Sequence, residues 1–289
     1  MGDREKNVGF AAALNILFTV IEFIGGVLTN SLALMADALH DFADSFALII
    51  AWLAEKKAKK PATGKMTFGY RRLSLLSAVF TTIVLIAGSL LILSRAIPRL
   101  INPEPVNAEG MLLIAIIGVM INGLGFVRLK KGMSQSEKIL SWHLLEDILG
   151  WVALLIGAII INFWNEPVID PIMTIGFTIF VLWGVLRNAK ETFNLLLEGV
   201  PAYIDIDEVK NSIVSIEGVK RVHDVHIWSL EGETDFLTAH IVVENKYLQE
   251  PDTIKQSIKS KLKEFHIVHS TLELEGEGVC SETVCFLSR

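Results

Sequence analysis

Residues Leu32–Leu53 read LALMADALHDFADSFALIIAWL, an apolar run interrupted by Asp37, His40, Asp41 and Asp44. At about 1.5 Å rise per residue, a helix of this length crosses the roughly 30 Å hydrocarbon core of a bilayer. Backbone groups in hydrocarbon must be bonded within their own segment, so an isolated run of this kind is a spanning helix and not a strand. Five more apolar runs read the same way: Val8–Leu28, Leu73–Ile97, Ala108–Val127, Ile139–Phe163 and Pro171–Leu186. Turn-rich breaks separate several of them, among them TNS at 29–31, INPEPVN at 101–107 and NEPVID at 165–170. The expectation is an α-helical membrane protein with six transmembrane helices within residues 1–199.

Composition agrees with this division. The 289 residues are 52% hydrophobic with a mean hydropathy of +0.49, above the usual balance of a soluble chain. Residues 200–289 carry 16 acidic and 9 basic side chains, whereas residues 1–199 carry 16 and 17. The last third therefore reads as a separate, acidic, water-soluble domain. A pI near 5.7 lacks the basic footprint that nucleic acid requires. The two cysteines, Cys280 and Cys285, lie together at the C-terminus and exclude a disulfide scaffold. The first apolar run has no small-residue cleavage site, so no cleavable signal peptide is expected.

Basic residues orient the bundle. Lys56, Lys57, Lys59, Lys60, Lys65, Arg71 and Arg72 fill the connection between the second and third runs. Arg128, Lys130, Lys131 and Lys138 fill the one between the fourth and fifth, while the first and fifth connections have no Lys or Arg. The positive-inside rule then puts both termini in the cytoplasm, with the chain in the cell's inner or plasma membrane.

Residues 200–289 read as α-β-β-α-β. Asp207–Ile216 has helical patterning, and Val219–Ser229 and Thr234–Glu244 alternate with period two. Asp252–Phe265 puts Ile254, Ile258, Leu262 and Phe265 on one helical face, and Thr271–Glu275 is a last short strand. This order is that of a small cytosolic α+β domain of ferredoxin-like type.

Ionisable groups inside spanning helices are costly, at about 2.5–3.5 kcal/mol each on insertion scales, and they mark function. The second run holds ADALHDFAD (36–44) and the fifth holds WHLLED (142–147). In each, a His precedes an Asp by four residues, so His40 with Asp44 and His143 with Asp147 share a helical face. The two helices run in opposite directions, and both pairs fall near the bilayer midplane. Two imidazoles and two carboxylates there form a tetrahedral set suited to Zn2+. A lone intramembrane His has a structural reading, as a packing residue or an interhelical hydrogen bond. Two copies at matching depth favour metal. Asp37 and Asp41 read either as neighbours of this site on its access path or as plain structural polarity, and the sequence leaves open whether Glu146, three residues after His143, faces it.

Six spans, HxxxD in the second and fifth, FGYRR (68–72) entering the third, VHDVHIW (222–228) and TAHIVVE (238–244) together resemble the cation diffusion facilitator family. The resemblance covers essentially the whole chain. It implies a homodimer in the lipid bilayer that exports a divalent metal, Zn2+ first, in exchange for protons by alternating access. It gives His40, Asp44, His143 and Asp147 the transport-site role and puts Asn122 on the path. In the domain at 200–289 it implies a second, regulatory or structural zinc set of His223, His240, His269 and Glu275, with Cys280 and Cys285 of the tail. His226 has odd parity to His223 and reads as packing on the other face of its strand.

The chain also departs from some relatives. The loop Glu55–Arg72 has no His, Asp or Cys, so no metal site is expected there, and Leu129–Lys138 lacks a His-rich insertion, as in a compact, prokaryotic-type member. Other metals (Cd2+, Co2+, Mn2+, Fe2+) and a membrane metal sensor are the alternatives. An enzyme is not expected, because there is no HExxH and both carboxylates of the paired motifs are needed as ligands, leaving no obvious general base.

Overall fold

A computed structural model describes the backbone of residues 3–58, 62–129 and 135–278. It describes the side chains from Ile16 onward apart from residues 48, 51, 52, 54, 55, 58, 128, 129 and 135–144. Each of the six apolar runs lies in one long helix: α1 (Asp3–Thr29), α2 (Leu32–Ala58), α3 (Leu73–Ile101), α4 (Ala108–Leu129), α5 (Gln135–Trp164) and α6 (Ile169–Leu196). Among the described residues four stretches are long and apolar enough to cross a membrane: Leu73–Ile101, Ala108–Val127, Leu145–Trp164 and Ile169–Leu196. Ile16–Thr29 is a shorter apolar stretch, and α2 carries its aspartates within the run. These helices expose many apolar side chains, among them Phe23, Ile83, Leu124 and Phe180, as a lipid-facing surface requires.

The chain divides into two compact units. One is drawn from residues up to Leu53 and from Ser77–Asn188, the other from Ala54–Leu76 and from Ala189 onward. In the first unit Phe18, Leu34, Met111, Trp151, Leu154 and Ile161 form the largest core cluster. Trp151 is fully buried, 5.3 Å centroid to centroid from Phe18. A Cβ at position 118 would collide with its ring, so Gly118 is what lets α4 and α5 approach this closely. α1 ends at Thr29, with Asn30 in the left-handed conformation (φ 56°) that turns the chain sharply into α2.

In the second unit α7 (Ile206–Val214) is capped by Asp205, whose carboxylate accepts from the amides of Asp207 (2.8 Å) and Glu208 (3.2 Å). β1 (Val219–Ser229) pairs antiparallel with β2 (Asp235–Val243), and β2 pairs parallel with β3 (Ile267–Gly276). The parallel pair needs a crossover, which α8 (Pro251–Leu262) provides. Ile254, Ile258 and Leu262 of α8 are buried against Leu237, Ala239 and Ile241 of β2, and Val209 and Ile213 of α7 complete that core. The αββαβ order is the expected one. β3 starts four residues earlier than its sequence pattern indicates, because His266 turns left-handed (φ 63°) after the last helical turn and frees Ile267 to pair with Asp235.

The connection before α3 belongs to this unit. Arg71 donates to Thr234 (2.6 Å) and Glu231 (3.3 Å) on the β1–β2 hairpin, and Phe68 stands edge-on to Phe236 at 5.2 Å.

Candidate functional site

α2 presents His40 and Asp44 on one face, with His40 Nε2 3.7 Å from Asp44 Oδ2 and both side chains about one-quarter exposed. Asp147 on α5 stands close enough to act electrostatically on Asp37 and Asp41 of α2. Asp147 of α5 therefore lies near the acidic turn of α2. His40, Asp44 and Asp147 do not bring three ligand atoms within 4.8 Å of one another, so these described ligands approach without closing into a compact set. The backbone of His143 lies in α5, and its side chain is outside the described residues.

Asp37 and Asp41 are almost fully buried. Asp37 lines a cavity of about 260 Å³ between α2, α5 and α6, together with Ala33, Gly150, Met173 and Phe177. That favours the access-path reading for Asp37. Glu146 is exposed. Asn122 is buried, and its amide donates to Gly118 O of its own helix (3.2 Å), one turn back.

Two residues of this region lie outside the sequence motifs. Glu22 of α1 is wholly buried, and Asp37, Asp41 and Asp147 all act on it. The rule that singles out the second and fifth runs, an ionisable residue inside an apolar span, applies equally to Glu22 in the first. Asp170, at the start of α6, is also fully buried and bonds the first turn of α2.

On the sheet face opposite the helices, His223 of β1 and His240 of β2 are directly paired, with ring centroids 5.2 Å apart. Glu275 of β3 lies between them, with Oε2 3.1 Å from His223 Nε2 and Oε1 2.7 Å from His240 Nδ1. All three are largely buried, and among the described residues they are the one group whose three ligand atoms lie within 4.8 Å of one another. Two nitrogens and a carboxylate are borderline-to-hard donors, as Zn2+ prefers. Glu273 and Asp224 flank His240 Nε2 at 3.6 and 3.7 Å.

The sequence reading of this domain needs two corrections. His269 does not join the set. It pairs with Phe236, whose ring it meets at 5.0 Å, and it lies six residues from Glu275, roughly 20 Å along a strand at about 3.3 Å per residue. His226 does not point to the other face. The ladder slips between His223 and His226, with Asp224 left-handed (φ 49°), so His226 pairs with Thr238 and His223 with His240. Thr238 and His240 share a face, and the bulge brings His226 to it, 3.1 Å from Asp224 Oδ1. Cys280 and Cys285 lie outside the described residues.

Among known proteins, residues 8–197 match the family described as the cation efflux transmembrane domain. Residues 201–277 match the cation efflux protein, cytoplasmic domain. The chain is 36% identical over 276 residues to the metal cation efflux system protein CzcD of Cupriavidus metallidurans, covering 95% of this chain and 87% of that protein. It is 36% identical over 266 residues to the cadmium, cobalt and zinc/H(+)-K(+) antiporter of Bacillus subtilis, covering 90% and 86%. It is 35% identical over 291 residues to the zinc transporter ZitB of Escherichia coli, covering 99% and 92%.

Proposed function

The chain belongs to the cation efflux family of divalent-metal transporters, and on that premise we propose that it carries Zn2+ out of the cytoplasm in exchange for protons. Its similarity to metal efflux systems and zinc transporters supports the cargo. The single observation that carries the site is the His40–Asp44 pair on one face of α2, with Asp147 of α5 near the same acidic turn. We assign His40, Asp44, His143 and Asp147 as the ligands. Metal binds deprotonated imidazole and carboxylate, so metal and protons compete for the same atoms, and filling the site with one displaces the other. Exposing that site alternately to each side of the membrane turns the competition into antiport.

The set of His223, His240 and Glu275 is the second part of this reading. It takes a zinc ion that stays bound and reports cytoplasmic metal, in a domain through which two copies of the chain pair, with both termini in the cytoplasm. Two imidazoles held by one buried carboxylate supply the ligands, and Glu273 or Asp224 supplies the fourth position. The test is Zn2+ flux into proteoliposomes holding the purified full-length chain under an imposed pH gradient. Flux that follows the gradient and collapses with it supports the antiporter. Saturable zinc binding without flux would establish a sensor instead.

A further inference from the structure

His40 turns Nε2 toward Asp44, and its other ring nitrogen, Nδ1, is buried with no partner among the described residues. His40 also lines a small cavity between α2, α3 and α6, together with Leu39, Ser89, Phe177 and Thr178. Thr178 Oγ1 is likewise buried and unpartnered, in a residue only 3% exposed. The cavity, at about 10 Å³, is at the lower limit of what admits a single water molecule. A bound water needs two to four polar partners, and His40, Thr178 and Ser89 offer three, each from a different helix. The edge of Phe177, 6.0 Å from the imidazole centroid, closes the apolar side.

A histidine that binds metal through one nitrogen donates the N–H of the other to an acceptor, which fixes its tautomer and ring angle. Carboxylate, carbonyl and water all serve. Among the described residues the two unpartnered groups belong to side chains that line one cavity, and a single molecule bridging them would satisfy both.

We propose that Thr178 is a positioning residue for the transport site: through one water molecule in this cavity it holds the Nδ1–H of His40, leaving Nε2 deprotonated and aimed at the metal. Nδ1–H donates to the water oxygen, and the water donates to Thr178 Oγ1. Ser89 takes the remaining contact. α6 thereby sets the angle of a ligand that α2 carries, although no residue of α6 is among the four ligands. The inference rests on the reading of His40 as a ligand.

The test uses the full-length chain in proteoliposomes, with Zn2+ as the probe, comparing wild type with Thr178→Val, Thr178→Ser and His40→Ala. Valine keeps the shape and removes the hydroxyl, whereas serine keeps the hydroxyl and removes the methyl. Thr178→Val should raise the Zn2+ concentration for half-maximal flux by about tenfold or more, the range found when a group supporting a metal ligand is lost, with a smaller change in maximal rate. Thr178→Ser should stay close to wild type. An unchanged half-saturation in Thr178→Val overturns the proposal, as does a serine variant as impaired as the valine one, since that marks a packing role for the methyl. His40→Ala separates the two levels. If it transports like wild type, the ligand assignment itself fails. If it is inactive while Thr178→Val is normal, only the positioning role fails.

Discussion

Asp170 of α6 caps a helix that is not its own: Ser31 Oγ donates to its Oδ1 at 2.5 Å, and the amide of Leu32, the first residue of α2, donates to its Oδ2 at 2.9 Å. The amide of Ala33 lies 3.3 Å from Oδ1. The first amides of a helix have no partner within it, and with Ser31, Leu32 and Ala33 buried in the protein, water does not supply one here. A carboxylate at that end also interacts favourably with the positive end of the helix dipole. The bond thus fixes where α2 begins, and hence the height at which His40 and Asp44 stand.

Asp170→Ala should therefore destabilise the folded chain by at least the about 1–2 kcal/mol typical of a lost N-cap. It should also lower Zn2+ flux without touching a ligand. Thermal unfolding in detergent measures the first and proteoliposome flux the second. Unchanged values of both would show that α2 is held in place by its apolar packing alone.

Asp147→Ala and Asp44→Ala should each abolish Zn2+ transport while the protein remains monodisperse. A four-ligand site that loses one carboxylate is left under-coordinated and with one more uncompensated positive charge in hydrocarbon. Near-wild-type flux in Asp147→Ala would remove α5 from the site.

In the cytosolic domain the test is metal-dependent stability. Zinc should raise the melting temperature of the wild-type chain, because the three ligands come from three different strands and the ion binds only the folded arrangement. Glu275→Ala should lose most of that rise, since Glu275 touches both imidazoles. His269→Ala should keep it. A His269→Ala chain that no longer responds to zinc would overturn the three-ligand set of His223, His240 and Glu275.

Tyr203 donates to the buried carboxylate of Asp235 at 2.8 Å. Burial, followed by that bond and the charge of Asp235, pushes its phenol up to about 12 from the ordinary 10. A raised value means that the neutral phenol is favoured in the fold. Its stabilisation is thus complete below about pH 10 and is lost as pH rises from there to about 12. Tyr203→Phe should delete a step near pH 12 from the phenolate absorbance titration of the chain.

Much of this is legible in the sequence, for a reason particular to membrane proteins. Apolar runs of spanning length leave few alternatives, so each of the six falls in one helix, and an HxxxD pair needs only helical periodicity to share a face. The alternation of TAHIVVE sets the faces of β2 in the same way. What fails is arithmetic along a strand. Parity puts His226 behind the sheet because it assumes an unbroken ladder, and the left-handed Asp224 adds a residue that no period reveals. Proximity in the chain groups His269 with Glu275, yet it says nothing about the distance that β3 puts between them over a strand of ten residues. Thr178 carries no signal at all, since a threonine in an apolar helix gains meaning only from what faces it.

Glu22 also bears on how the chain enters the membrane in the first place. A charged residue at mid-depth costs about 2.5–3.5 kcal/mol at insertion, and α2 brings three aspartates of its own. Neither helix is a good solitary passenger through the translocation machinery. They are joined by Asn30 and Ser31 alone, with Asn30 in a left-handed turn. α1 and α2 should accordingly be handed to the lipid together, as one hairpin whose polar faces meet before either sees hydrocarbon. Fused to a glycosylation reporter, α1 alone should insert poorly unless Glu22 is replaced by Leu, and the α1–α2 pair should insert well with Glu22 in place. Efficient insertion of wild-type α1 by itself would show that the helices enter one at a time.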